Sequence, residues 1–184
     1  MDQIIKFIFE ARHLKSLKRS GYDFLGNGKE SVAEHSFIIS VISYILGKLR
    51  PEADERKVVL MALFHDLPES RTGDINYFQK KYVTKDEKRA IDDMTRDLFF
   101  GSDIKSLIDE FNDCSTIEAK LAADADQLSF LVDLKVLSDK GAGKTERWIE
   151  TVQNRIKTTE GRELAKKIMK SDSDAWWLDN YVDA

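Results

Sequence analysis

Apolar residues recur every three or four positions along almost the whole chain, and no stretch sustains the two-residue alternation of β-branched residues between hairpin turns that strands require. Proline, the strongest helix breaker, occurs only at Pro51 and Pro68. The pattern predicts an all-α domain. Ile4, Ile5, Ile8, Phe9, His13 and Leu14 mark a first helix, with a loop to follow over roughly residues 19 to 30 that holds Gly21 and Gly26-Asn27-Gly28. Ser31 and Glu34 form a capping box ahead of Phe37, Ile38, Val41, Ile42, Ile45 and Leu46, so a long buried helix should run to about Leu49. Asp54 is placed to cap a helix through Val58, Val59, Met61, Ala62 and Phe64, which Pro68 should end near His65 and Asp66.

Further along, residues 67 to 83 read as a polar loop with Gly73. Thr84 and Glu87 are expected to open a helix reaching Leu98, with Gly101 as its stop and Ser102 capping a short helix after it. Ser115 with Glu118 reads as another capping box, leading into Leu121, Ala122, Ala125, Leu128, Leu131, Val132 and Val136 at core-helix spacing. Trp148, Ile149, Val152 and Ile156 continue the helical pattern, and Asp174 through Tyr181 forms an aromatic tail.

At 184 residues and 42% hydrophobic content, the chain fits one domain, residues 1–184, able to bury a core without disulfides or a structural metal. Cys114 is the single cysteine, which excludes a disulfide framework and a Cys-pair zinc site and suits a reducing compartment, the cytoplasm by default. The first residues place Asp2 where a signal peptide needs basic side chains, and no apolar run is expected to approach the ~20 residues of a membrane span. A net charge of −4 argues against a nucleic-acid polymer as partner, whereas a small anion needs only a local positive site.

Two of the three histidines occupy chemically suggestive places: His35 within Ser31-Val32-Ala33-Glu34-His35-Ser36, and His65 directly before Asp66. Asp126 adds a carboxylate inside another apolar helix, where an unpaired charge is costly. Imidazole and carboxylate together suit borderline divalent ions, and a mixed site with open positions can activate water for hydrolysis. The donors come from three separate helices, so tertiary packing must build such a site. His65 and Asp66 would diverge by about 100° on a regular helix, and converge more easily at a helix end. The plainer alternative stays open at this level, since a histidine on an apolar helix is most often a hydrogen-bonded core residue.

The flanking residues carry a resemblance. His35, His65-Asp66 and Asp126 resemble the H…HD…D signature of the HD-domain metal-dependent phosphohydrolases. Ala62-Leu63-Phe64-His65-Asp66-Leu67-Pro68-Glu69, Thr72-Gly73-Asp74-Ile75 and Asp124-Ala125-Asp126-Gln127-Leu128 are similar to the 5'-deoxynucleotidase branch, in family order over roughly residues 10 to 138, with a helical extension over 143–184. The resemblance implies a helical bundle around one divalent ion (Mn, Co, Fe, Ni, Zn or Mg), hydrolysis of a nucleoside 5'-monophosphate to nucleoside and phosphate, and a homodimer. It implies His35, His65, Asp66 and Asp126 as metal ligands, with Asp124 the rival for the last place. It makes Glu69 and Asp74 the proton-handling acids and Arg19 the phosphate-binding arginine, whose fork suits that task. Where the deoxynucleotidases often carry a tryptophan directly after that arginine, this chain has Ser20-Gly21-Tyr22, which puts preference for deoxyribose in question.

Other constellations carry less. Gly141-Ala142-Gly143-Lys144-Thr145 looks like the end of a P-loop, yet Ser138 stands where glycine is needed and the preceding segment reads helical, so an interhelical turn is expected. No histidine is tied to Cys114 as a base, and His13 reads as a packing residue. Hydrolysis of a cyclic nucleotide or alarmone is the alternative chemistry, although two-metal phosphodiesterases consume more histidines than the chain has. A non-catalytic nucleotide-binding module would dispense with Glu69 and Asp74.

Overall fold

The computed structural model describes residues 1–142 and 144–181. Among them every regular element is a helix, apart from one isolated antiparallel bridge between Lys18 and Ser31. The chain runs through α1 (Asp2–His13), α2 (Tyr22–Leu25), α3 (Val32–Leu49), α4 (Glu55–Phe64), α5 (Glu69–Thr72), a 3-10 turn (Gln79–Lys81), α6 (Glu87–Thr95), α7 (Gly101–Asp113), α8 (Ile117–Asp139), α9 (Glu146–Gln153), α10 (Thr159–Lys170) and α11 (Ala175–Leu178).

Helices α3, α4 and α8 pack on one another at the centre, and α9 and α10 cover α8. Leu46, Val58, Met61, Leu121, Leu128 and Leu131 fill one buried cluster, which Val152, Ile156 and Ala165 complete from the C-terminal part. A second cluster gathers Leu14, Val32, Leu67, Ile91, Ile104 and Ile108. Each fully buried aliphatic side chain of this kind contributes about 1.5–3 kcal/mol relative to exposure, so the central helices are held by packing rather than by propensity. By length and composition α3 could cross a membrane, contrary to expectation, since its Glu34 and Lys48 lie near its ends; here 44% of it is buried inside the bundle. The 143–184 extension falls within this description except at Gly143 and residues 182–184, which lie outside the described residues.

Local signals set the ends of the central helices. Ser31 Oγ accepts from the Glu34 N–H at 3.2 Å while the Glu34 carboxylate accepts from the Ser31 N–H at 2.7 Å, completing the capping box. Asp54 accepts from the amides of Arg56 and Lys57, as its position predicts.

Elsewhere the boundaries shift. The loops over 19–30 and 67–83 contain α2, α5 and the 3-10 turn, single turns too short to show periodicity. Asp86, not Thr84, caps α6, which ends at Thr95. Gly101 begins α7 rather than ending α6: a Cβ there would lie 2.2 Å from the Thr95 carbonyl oxygen, so close approach selects glycine. Consequently Ser102 lies inside a helix of 13 residues and caps nothing. Thr116 caps α8, its hydroxyl accepting from the Ala119 N–H, while Ser115 turns to Asp113 and Glu118 accepts from the Asp54 N–H. His13 is exposed, because Leu14 takes the inward place at the end of α1. Helix α8 precedes Gly141, consistent with a turn and not a strand-led phosphate loop.

Candidate active site

His35 sits in the first turn of α3 with no exposed side-chain surface, and its Nε2 lies 2.9 Å from Asp126 Oδ1 on α8. His65 is the C-cap of α4, where Pro68 four residues after Phe64 stops the helix. Its Nδ1 lies 2.8 Å from the Ala62 carbonyl oxygen, which can only accept, so Nδ1 carries the proton and Nε2 faces the interior of the site. Donor atoms of His35, His65 and Asp126 lie within 4.8 Å of one another. Asp66 joins them: Oδ1 is 3.1 Å from His65 Nε2 and Oδ2 is 3.9 Å from His35 Nε2. The four side chains singled out in the sequence are therefore brought together, and two imidazoles with two carboxylates form a donor set that suits a borderline divalent ion.

Asp124, the rival carboxylate, is placed elsewhere. It is buried and accepts from the amides of Lys157 and Thr158, both at 2.7 Å, and from Thr158 Oγ1 at 2.5 Å. Its oxygens are saturated at the start of α10, which leaves nothing for a ligand role.

Arg19 reaches the same cluster. Its guanidinium lies 3.3 Å from Asp66, 3.9 Å from Asp126 and 3.8 Å from Glu30. Burial would lower its proton affinity, but Asp126 and Asp66 outweigh that and keep it charged. Burial alone would also raise Asp66 and Asp126; for Asp66 the adjacent His65, and for Asp126 the hydrogen bond to His35, hold the carboxyl well below the usual range. The same pairing acts in reverse on His65: burial disfavours its charge, yet Asp66 raises its pKa to about 9.

Glu69 opens α5 and is 8% exposed. Lys85 Nζ donates to its Oε1 at 3.1 Å, while Oε2 is buried without a protein partner. Burial, with the charges of Asp66 and Asp74, pushes its pKa up to about 8 against the pull of Lys85. Asp74 follows Gly73, whose φ of 73° turns the chain out of α5. Its Oδ2 accepts from the Ser20 N–H at 2.5 Å and from Ser20 Oγ at 3.0 Å, tying the segment that carries Arg19 to the segment after Glu69.

Of these groups Arg19, Glu69, Asp74 and Asp126 line a cleft of about 560 Å³, whose wall also includes Tyr77, Phe130, Trp148 and Arg155. Tyr22 borders it from a buried position, its hydroxyl donating to Asp133, and Tyr22 meets Phe130 edge to face at 6.0 Å. Sequence reasoning missed Glu30, whose carboxylate stands 3.6 Å from His35 Nδ1, along with Lys85 and the cleft face of α9. A charged residue in a loop gives no pattern of its own; only tertiary packing reveals these contacts.

The profile of the HD domain family matches residues 11–169. A 5'-deoxynucleotidase of Dictyostelium discoideum is 31% identical over 173 residues, 85% of this chain and 85% of its own length. A 5'-deoxynucleotidase of Schizosaccharomyces pombe is 27% identical over 143 residues, 71% of this chain and 70% of its own. Among solved structures, a conserved hypothetical protein from Pyrococcus furiosus superposes with a TM-score of 0.76 at 25% identity, covering 91% of this chain and 99% of its own.

Proposed function

The chain belongs to the HD domain family, and from that premise we propose that it is a metal-dependent 5'-nucleotidase converting (deoxy)nucleoside 5'-monophosphates to nucleoside and phosphate. The observation that carries this reading is the convergence of His35, His65, Asp66 and Asp126, from α3, the end of α4 and α8, beside a buried acid in a cleft. These four would hold one divalent ion, of Mn, Co, Fe, Ni, Zn or Mg. When bound, such an ion activates water near neutral pH and neutralises phosphate oxygens.

The chain's own residues do the rest. Arg19 offers a planar fork to the phosphate, and Asp74 positions it by fixing Ser20 next door. Glu69 is the proton-transfer group. Lys85 fixes one of its oxygens and leaves the other buried and unpartnered, and burial, which raises its pKa, favours a proton held there for the leaving 5'-oxygen. The division of labour is thus Glu69 for protons and Asp74 for position. The kinship to proteins named 5'-deoxynucleotidase supports the substrate class.

The test is a phosphate-release screen of deoxy- and ribonucleoside monophosphates against Mn, Co, Mg, Zn and Ni, with a cyclic dinucleotide and an alarmone included. Release from monophosphates, strict dependence on the ion, and a loss of about a hundredfold or more in Glu69→Gln with ion binding retained are expected. Activity confined to the cyclic or alarmone substrates would overturn the assignment.

We further propose a single-domain cytoplasmic homodimer that engages neither membranes nor nucleic-acid polymers. On α3, Phe37, Val41, Ile45 and Leu49 recur every four residues and are all exposed, as are Ile5, Ile8 and Phe9 on α1, which is more unpartnered apolar surface than a monomer favours. Light scattering should give twice the chain mass, and Val41→Lys should halve it; a monomeric wild type ends this part of the reading.

A further inference from the structure

The cleft extends beyond the groups that the proposed hydrolysis uses, and its remaining lining sets Tyr77, Phe130 and Trp148 among the cations Lys80, Arg147 and Arg155. Asp126 and Phe130 are one turn apart on α8, about 6 Å along the helix axis. Phe130 meets Trp148 of α9 edge to face, with ring centroids 6.0 Å apart. Trp148 is half-buried: it packs against the core cluster and also lines the cleft. One helical turn plus one ring contact therefore links the ligand cluster to the Trp148 indole along the wall of the same cleft. Seven residues after Trp148, Arg155 lies over the ring of Tyr77 at 4.5 Å from its centroid. That cation–π contact joins the turn after α9 to the segment that follows Asp74, so two walls of the cleft are tied together there.

We propose that Trp148 is the base-recognition residue: the nucleobase stacks on the indole while the phosphate is held at Arg19, and Tyr77 with Arg155 closes the outer end of the base site. This rests on the nucleotidase reading and adds to it the part of the substrate that is recognised. An indole face accepts every base, because each presents a π-surface; a wall built this way sorts nucleotides from other phosphate esters rather than one base from another. The charged end of the cleft then supplies what is common to all phosphomonoesters, and the aromatic end supplies the preference for nucleotides.

The experiment compares the wild type with Trp148→Leu and Trp148→Phe on deoxynucleoside monophosphates and on deoxyribose 5-phosphate, which lacks the base. Trp148→Leu keeps apolar bulk against Phe130 but removes the aromatic face. Its kcat/KM on nucleotides should fall about tenfold to a hundredfold, mostly through KM. Trp148→Phe should recover most of that loss. Deoxyribose 5-phosphate should be processed equally well by all three proteins; if it turns over too slowly, its inhibition constant is compared instead. An equal loss on both substrate types would show that Trp148 is merely structural, and unchanged nucleotide kinetics in Trp148→Leu would also overturn the inference while leaving the nucleotidase reading intact. A wild type that releases phosphate from no nucleotide would remove both together.

Discussion

Two faces of α8 carry the same side chain two residues apart and put it to opposite uses. Asp124, on the face toward α10, is saturated by two backbone amides and a hydroxyl of Lys157 and Thr158. Asp126, on the face toward α3 and the end of α4, meets an imidazole and a guanidinium and remains open to the cleft. Both answer the requirement that a buried carboxylate be compensated, but only the second is compensated by groups that a ligand can displace. Burial and an apolar setting therefore do not distinguish a site from a structural anchor; the chemistry of the partners does.

The contrast can be broken most directly by substitution. Asp126→Ala should lower ion-dependent phosphate release at least about a thousandfold, the order expected when several kcal/mol of charge stabilisation disappear, while helical circular dichroism persists. Asp124→Ala should do the reverse. It leaves the Lys157 and Thr158 amides without their acceptor, at a cost on the order of 3 kcal/mol, so melting should drop by roughly 6–12 °C with activity in the cold kept within a few-fold. If Asp124→Ala proved inactive at an unchanged melting temperature, the two roles would have to be exchanged.

A smaller effect sharpens the open face through pH. In the ion-free protein His65, raised to about 9, binds its proton more tightly folded than unfolded; that stabilisation is complete below about 6.5 and is lost as pH rises through 9. Glu69, raised to about 8, likewise keeps a proton that the unfolded chain gives up near 4.5, so stability again falls as pH rises between those values. Asp66 and Asp126, held low, stabilise above about pH 4 and lose that contribution in acid. Ion-free protein should therefore melt highest near pH 4–6 and progressively lower toward 9. A divalent ion competes with the His65 proton, so the melting increment on adding Mn should grow from pH 6 to pH 9. An increment that shrinks over that range would count against His65 as a ligand.

What was legible in the sequence divides along the same line. The capping box at Ser31 and Glu34, the Asp54 cap and the apolar spacing of α3 and α8 are local, and the chain obeys them. Where the local signal is degenerate the reading slips by a residue or two: Ser115 and Thr116 are neighbouring cap candidates, and the bonds to Glu110 and Ala119 select Thr116. His35, His65, Asp66 and Asp126 are candidates by residue type and apolar setting, but only the family resemblance implies that they meet, since nothing local to each states it. Lys85 on Glu69, Glu30 beside His35 and Trp148 against Phe130 were not legible, because each is a single ordinary residue whose meaning is a distant contact.

Ser31→Ala separates the local signal from the tertiary one and should give the smallest effect. The substitution removes the hydroxyl that accepts from the Glu34 amide and contacts its carboxylate, a loss of about 1 kcal/mol, or roughly 2–4 °C in melting temperature. It spares the Ser31 carbonyl, which accepts from the His35 N–H at 3.1 Å, and leaves the contacts of His35 with Asp126 and Ser129 in place. Helix α3 should therefore fray at its start without releasing the imidazole, and the ion affinity measured by calorimetry should stay within about 1.5-fold of wild type, roughly 0.2 kcal/mol and well under the 1 kcal/mol lost from stability. A larger drop would mean that the cap itself holds His35 in place, and that the site depends on a signal already written in four consecutive residues.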